Sequence, residues 1–129
     1  MITTYVFDTG ALISAERGKP RAARFFRLVH LGRAHIVVPL PVVAEWWRGR
    51  SDTRDKILRA TRIVGTVEIA KAAGVALAEL KGAAVDARVT IDAVVMATAA
   101  LLDAVVVTGD PDDFERLSGH FSGVAVLSA

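Results

Sequence analysis

A chain of 129 residues, 53% of them hydrophobic, with no cysteine and a net charge of only +2, is long enough to bury one core and excludes disulfides and thiolate metal sites. The opening MITTYVFDTG has no basic region ahead of an apolar run, and the greasiest stretch, AVVMATAALL at 93 to 102, is well short of the roughly 20 residues that span a bilayer. Neither a signal peptide nor a membrane span is expected, and the composition fits a soluble protein of the reducing cytoplasm.

Periodicity divides the chain into alternating elements. TYVF (4 to 7) reads as a strand, followed by helical spacing in ALISAER (11 to 17) and in PRAARFFRLVHLG (20 to 32), which Pro20 opens. HIVV (35 to 38) is a second strand, followed by helices over LPVVAEWWRGR (40 to 50) and TRDKILRATRIV (53 to 64). TVEI (66 to 69) reads as a third strand, and helices follow over AKAAGVALAELKGA (70 to 83) and, with Thr90 as its cap, TIDAVVMATAALL (90 to 102). AVVVT (104 to 108) and VAVLS (124 to 128) are the last strands, with PDDFERL (111 to 117) a short helix between them. Alternation of this kind requires crossover connections, hence an α/β fold with a mainly parallel sheet and helices on both faces. No linker, repeat or low-complexity tract divides the chain, so one domain over residues 1–129 is expected.

Charge is unevenly spread along this frame. Twelve of the sixteen Lys and Arg lie between Arg17 and Arg62, whereas from Asp86 onward only Arg88 and Arg116 accompany seven acids. A basic flank beside an acidic centre suits a polyanion held through its phosphates; a solvated Arg-rich helix surface is the plainer alternative.

Four acids stand where solvation alone does not explain them. Asp8 and Asp110 each follow a strand, at the sheet edge where open parallel folds bind ligands. Glu45 and Asp92 lie inside apolar helical segments, near amino ends that face the same edge. Each has a plainer role available: Asp8, Asp110, Asp112 or Asp113 as a helix cap, and Asp92 as a first-turn acid favoured by the helix dipole. Glu45, between Val42, Val43, Ala44 and two tryptophans, has fewer. Four carboxylates projected to one edge repel one another unless cations sit among them. Oxygen-only ligation points to Mg2+ or Mn2+ rather than zinc, and carboxylate-held ions of that kind act on phosphodiesters.

VFDTGALIS, VVAEWW, TIDAVVMATA and VVVTGDPDDF, in that order across almost the whole chain, resemble the PIN domain, and in particular the small VapC toxins of bacterial toxin-antitoxin pairs. The resemblance implies a three-layer α/β/α sandwich and a Mg2+-dependent (or Mn2+-dependent) endoribonuclease that cleaves RNA. It also implies a homodimer and a cognate VapB-like antitoxin partner. Carried over residue by residue, it implies that Asp8, Glu45, Asp92 and Asp110 are catalytic and hold metal, that Thr108 is the hydroxyl residue before the last acid, and that a fifth acid assists. Asp113 is taken for that role, with helix capping the reading for Asp112.

The remaining candidates keep two readings each. Trp46 and Trp47 could stack on bases, but neighbours on a helix point about 100° apart, so one is expected in the core and the other at a surface. Arg48, Arg50 and Arg54 either hold phosphates or form a solvated face. Thr9 and Ser14 bond either a ligating carboxylate or the backbone, and His30, His35 and His120 are given no role. Among rival functions, an aspartyl-phosphatase would need an acid two residues after Asp8, where Gly10 stands, and a nucleotide switch would need the absent GxxxxGK[ST] loop. A PIN-like module that binds RNA or protein without cutting is the alternative from another class. DNA cleavage also stays open, since a metal site alone does not read a 2′-hydroxyl.

Overall fold

Valine-rich runs suit a sheet covered on both faces, where every side chain of a strand is buried. In the computed structural model, which describes residues 2–80 and 85–129, the strands are β1 (Thr3–Phe7), β2 (Ala34–Pro39), β3 (Arg62–Val64), β4 (Val105–Thr108) and β5 (Val126–Ser128). They form one sheet in the order β3-β2-β1-β4-β5, and each of the four pairings is parallel. The central register sets Tyr5 opposite Ile36 on one side and Val105 on the other.

The helices are α1 (Thr9–Glu16), α2 (Pro20–His30), α3 (Leu40–Trp46), α4 (Asp52–Arg59), α5 (Val67–Ala78), α6 (Ala87–Leu102) and α7 (Glu115–Ser118), with a 3-10 turn at Pro111–Phe114 leading into α7. Alternation along β1 shows how the layers are built. Tyr5 and Phe7 meet Phe25 of α2 edge-on, with ring centroids 4.8 and 5.6 Å apart. On the other face, α6 packs against β1, β2 and β4 and is backed by α5. The result is the expected α/β/α sandwich, with Val6, Phe7, Val106, Val107 and Met96 fully buried at its centre. Among the described residues no helix is long and apolar enough to cross a membrane.

Three boundaries differ from the sequence reading. TVEI is not a strand: the Thr66 side chain accepts a bond from the Ile69 amide, 3.2 Å, and caps α5. The third strand is instead RIV at 62–64, inside a window with helical spacing, because α4 stops at Arg59 and the chain must pair with β2. The cap of α6 is Asp86, whose Oδ1 accepts from the Val89 amide at 2.9 Å, and Thr90 lies inside the helix. The helix expected over 70–83 is seen as α5, ending at Ala78; positions 81–83 of that expectation lie outside the described residues.

Candidate active site

Strand order reverses at β1, with β2 and β3 on one side and β4 and β5 on the other. At such a reversal the connections leave in opposite directions and open a crevice at the carboxyl ends of the two central strands. Asp8 follows β1 and Asp110 lies two residues beyond β4, so both stand at that crevice. Gly10 and Gly109 let the two exits touch: a Cβ on Gly10 would lie 3.1 Å from the Gly109 Cα, and one on Gly109 equally close to Gly10.

One buried hydroxyl joins the two strand-end acids. Thr108 Oγ1 donates to Asp8 Oδ2 and accepts from the Asp110 amide at 3.1 Å. Asp8 Oδ1 accepts from the Ala11 amide, 2.8 Å, so Asp8 also caps α1. Asp110 likewise caps the 3-10 turn, accepting from the Asp112 amide at 3.1 Å. Capping and a place in the crevice therefore coexist in both residues. Glu45 enters from α3, where Thr9 Oγ1 donates to its Oε1. Asp92 enters from the second turn of α6, beyond the first-turn place that a Thr90 cap would have given it.

These four acids and Asp113 line a single cleft of about 400 Å³. Asp113 is drawn to Arg88, whose Nη2 donates to Asp113 Oδ2 at 2.8 Å. Asp112 does not cap a helix as expected: it sits within the 3-10 turn, exposed, and contributes only its amide to Asp110. Arg88 was not singled out in the sequence; its place in the cleft follows from the true start of α6, which puts it one turn before Asp92 on the same face. None of His30, His35 and His120 lines the cleft, and His120 pairs with Glu79, 2.6 Å, elsewhere.

Burial and crowding disturb the charges. Asp8 is pushed above the usual carboxylate range mainly by burial, against bonds from Thr108, Ala11 and Gly109 that favour its charged form, with Asp113 adding repulsion. Asp92 is pushed up to about 7, first by burial, then by the charges of Asp8 and Asp113; Arg88 opposes this and Glu45 adds to it. An uncompensated acidic cleft of this kind is stabilised by added positive charge. Among the described residues no three His, Asp or Glu are already gathered as an ion cage. The donor set is nevertheless all oxygen, anionic and spread around an open cleft with room for ordered water, which suits a hard ion that retains several waters.

Trp46 is buried, its Nε1 donating to Glu16 Oε1 at 3.0 Å, while Trp47 leaves the helix in an extended conformation and is half-buried. The two therefore divide as expected between core and periphery. Arg50 pairs with Asp55 at 2.7 Å in solvent and Arg54 with Glu16 at 2.8 Å. Thr9 bonds a cleft carboxylate; Ser14 is buried on α1 and lies outside the cleft wall.

A parallel α/β/α sandwich with carboxylates gathered where the strand order reverses belongs to the class of open α/β folds whose crevice lies at the carboxyl ends of the central strands. Within it the chain belongs to the PIN domain family, whose pattern matches residues 5–119. Among solved structures, it is similar to VapBC2 from Rickettsia felis bound to a DNA fragment from their promoter, with TM-score 0.74, 16% identity, and coverage of 98% of this chain and 99% of that one. DNA-bound VapBC from Salmonella typhimurium gives TM-score 0.70 and 20% identity, with 98% of each chain covered. VapBC-1 from nontypeable Haemophilus influenzae gives 0.68 and 15%, again over 98% of each. At these identities the likeness is one of fold. No curated protein matches the chain closely.

Proposed function

We propose that this chain is a Mg2+- or Mn2+-dependent endoribonuclease, the toxin of a toxin-antitoxin pair, with residues 1–129 acting as one PIN domain. The observation that carries the reading is the convergence of Asp8, Glu45, Asp92 and Asp110, from four separate segments, on one cleft. PIN domains are generally nucleases, and the VapBC complexes among the fold's neighbours support a VapB-like antitoxin as partner.

Asp8, Glu45, Asp92 and Asp110 would hold the ion, with Asp113 able to join them if Arg88 releases it. When bound, the ion supplies Lewis acidity toward water and toward phosphate oxygens. The chain does the positioning. Thr108 and Thr9 fix the rotation of the Asp8 and Glu45 carboxylates, the Gly10–Gly109 contact fixes the spacing of the two strand ends, and Arg88 offers a guanidinium to the substrate phosphate. A module that binds without cutting has little physical reason to keep five mutually repelling acids in one cleft.

Incubation of labelled single-stranded and structured RNA with Mg2+, Mn2+ or EDTA, beside an Asp92→Asn variant, tests this. Cleavage is expected only with metal and at least 100-fold slower in the variant, on the order of losing one strong electrostatic element. Equal inertness of both proteins while both still bind RNA would transfer the assignment to the non-cutting module. DNA of the same sequence, run in parallel, decides whether the 2′-hydroxyl matters.

A further inference from the structure

Two hollows adjoin the acidic cleft, one on each side, and they differ in charge. Beyond Arg88, Asp92 and Asp113 lies a hollow whose wall adds Asp86 and Asp112, so that four carboxylates face Arg88 and Arg116. On the other side, sharing Ile13 and Glu45 with the cleft, lies a hollow of about 390 Å³ walled by Arg17, Arg48 and Arg54 with Glu16 and Trp46. Only this second hollow carries an excess of cations.

Its cations are of two kinds. Arg54 is fixed: it pairs with Glu16 Oε2 at 2.8 Å and donates to the Gly49 carbonyl at 2.9 Å. The other Glu16 oxygen accepts from Trp46 Nε1, so Glu16 is fully engaged. Arg17 and Arg48 are exposed and have no carboxylate partner among the described residues. Arg48 Nη1 donates to the Trp47 carbonyl at 2.7 Å, which orients the guanidinium without neutralising it. Two uncompensated guanidinium groups on a wall braced by a third, next to a site for a phosphodiester, form a place where a second phosphate of the same strand is attracted.

We propose that the Arg17–Arg48–Arg54 hollow is a subsite for a backbone phosphate of RNA flanking the scissile one, so that the strand runs out of the cleft across α1 and α3 and away from α6. The proposal rests on the reading of the cleft as a nuclease site. Arg17 and Arg48 make the phosphate contacts, while Arg54, Glu16 and Trp46 hold the wall in place. The contact is to phosphate, so it adds affinity without choosing a sequence.

Binding without turnover separates this from the nuclease reading. In an Asp92→Asn background, the affinity of a labelled single-stranded RNA of about ten nucleotides is measured by anisotropy over a range of salt. Arg17→Gln with Arg48→Gln is compared against Arg62→Gln, a control for lost charge at the amino end of the edge strand β3. Loss of two phosphate contacts on a single strand lowers the salt slope by about 1.4 and the affinity roughly ten-fold near 0.15 M salt; Arg62→Gln is expected to do neither. Circular dichroism at matched temperature confirms that the double variant is folded. Equal slopes and affinities in the double variant and the control overturn the proposal, as does a loss of affinity in the double variant with its salt slope unchanged, since lost phosphate contacts must lower both. With the labelled RNA shown by gel to be intact after each titration, each result stands whether or not the wild-type chain cleaves RNA.

Discussion

Asp92 shows how a single carboxyl couples stability to ligand. Its folded pKa is about 7 against an ordinary value of 3.8, so between those limits the folded protein binds a proton that the unfolded chain has released. Stability therefore falls as pH rises from about 4 to about 7, and the loss is complete above that window. In EDTA, Asp92→Asn is expected to melt a few degrees above wild type at pH 8, with the gap shrinking at pH 5, where wild-type Asp92 is already neutral. A gap that stays constant or reverses between those pH values would rule out a raised pKa at this site. Adding Mg2+ at pH 8 is expected to raise the melting temperature of wild type more than that of the variant, since an ion that binds only the folded state stabilises it by mass action. The four principal acids were legible in the sequence because an acid among valines or at a strand exit has few solvated explanations. Arg88 and the bracing role of Thr108 were not, since both depend on which turn of which helix faces the crevice.

Elements rather than residues set the distance between Asp8 and Asp110. The exits of β1 and β4 touch through Gly10 and Gly109, and the atoms a new Cβ would meet at 3.1 Å are backbone. Backbone cannot rotate aside as a side chain can, so Gly109→Ala must spread the two strand ends by a few tenths of an ångström. A destabilisation of about 1–3 kcal/mol, the usual range for overpacking, is expected by chemical denaturation. Cleavage is expected to fall further than the lost fraction of folded protein explains, because displaced carboxylates lose their shared geometry. A variant as active per folded molecule as wild type would mean that the spacing tolerates movement. Element order was legible from the alternation of β-branched runs with helical spacing. Residues 62–69 were not: a three-residue edge strand is too short to break the helical pattern before it, and a Thr cap followed by Val, Glu and Ile has the look of a strand until Thr66 is seen bonding to the Ile69 amide. At α6 the ambiguity is of another kind: Asp86 and Thr90 are both cap-type residues one turn apart, and the Val89 amide bonded to Asp86 Oδ1 decides for Asp86.

At the scale of the molecule, one group of exposed apolar side chains stands where the catalytic reading has no use for it. Single exposed aliphatic side chains are ordinary, but Leu40, Ile63 and Val67 are 59%, 42% and 66% exposed. Leu40 and Val67 border an apolar hollow that Pro41, Val64, Ile69 and Val94 complete, and that shares no residue with the acidic cleft. The hollow lies beside β3, an edge strand, and clustered apolar surface near an exposed edge is the kind that association covers. The expected homodimer would bury it. Val67→Asp places a charge that such an interface would have to desolvate, so multi-angle light scattering is expected to give twice the chain mass for wild type and the chain mass for the variant at the same micromolar concentration. A monomeric wild type, or a variant that remains dimeric, would assign this face to another partner or to none. Because Val67 sits in the first turn of α5 with its side chain in solvent, the substitution leaves the core contacts of that helix, Ile69, Ala73 and Ala76, in place. A change in mass with an unchanged circular dichroism spectrum would therefore report the interface and not the fold.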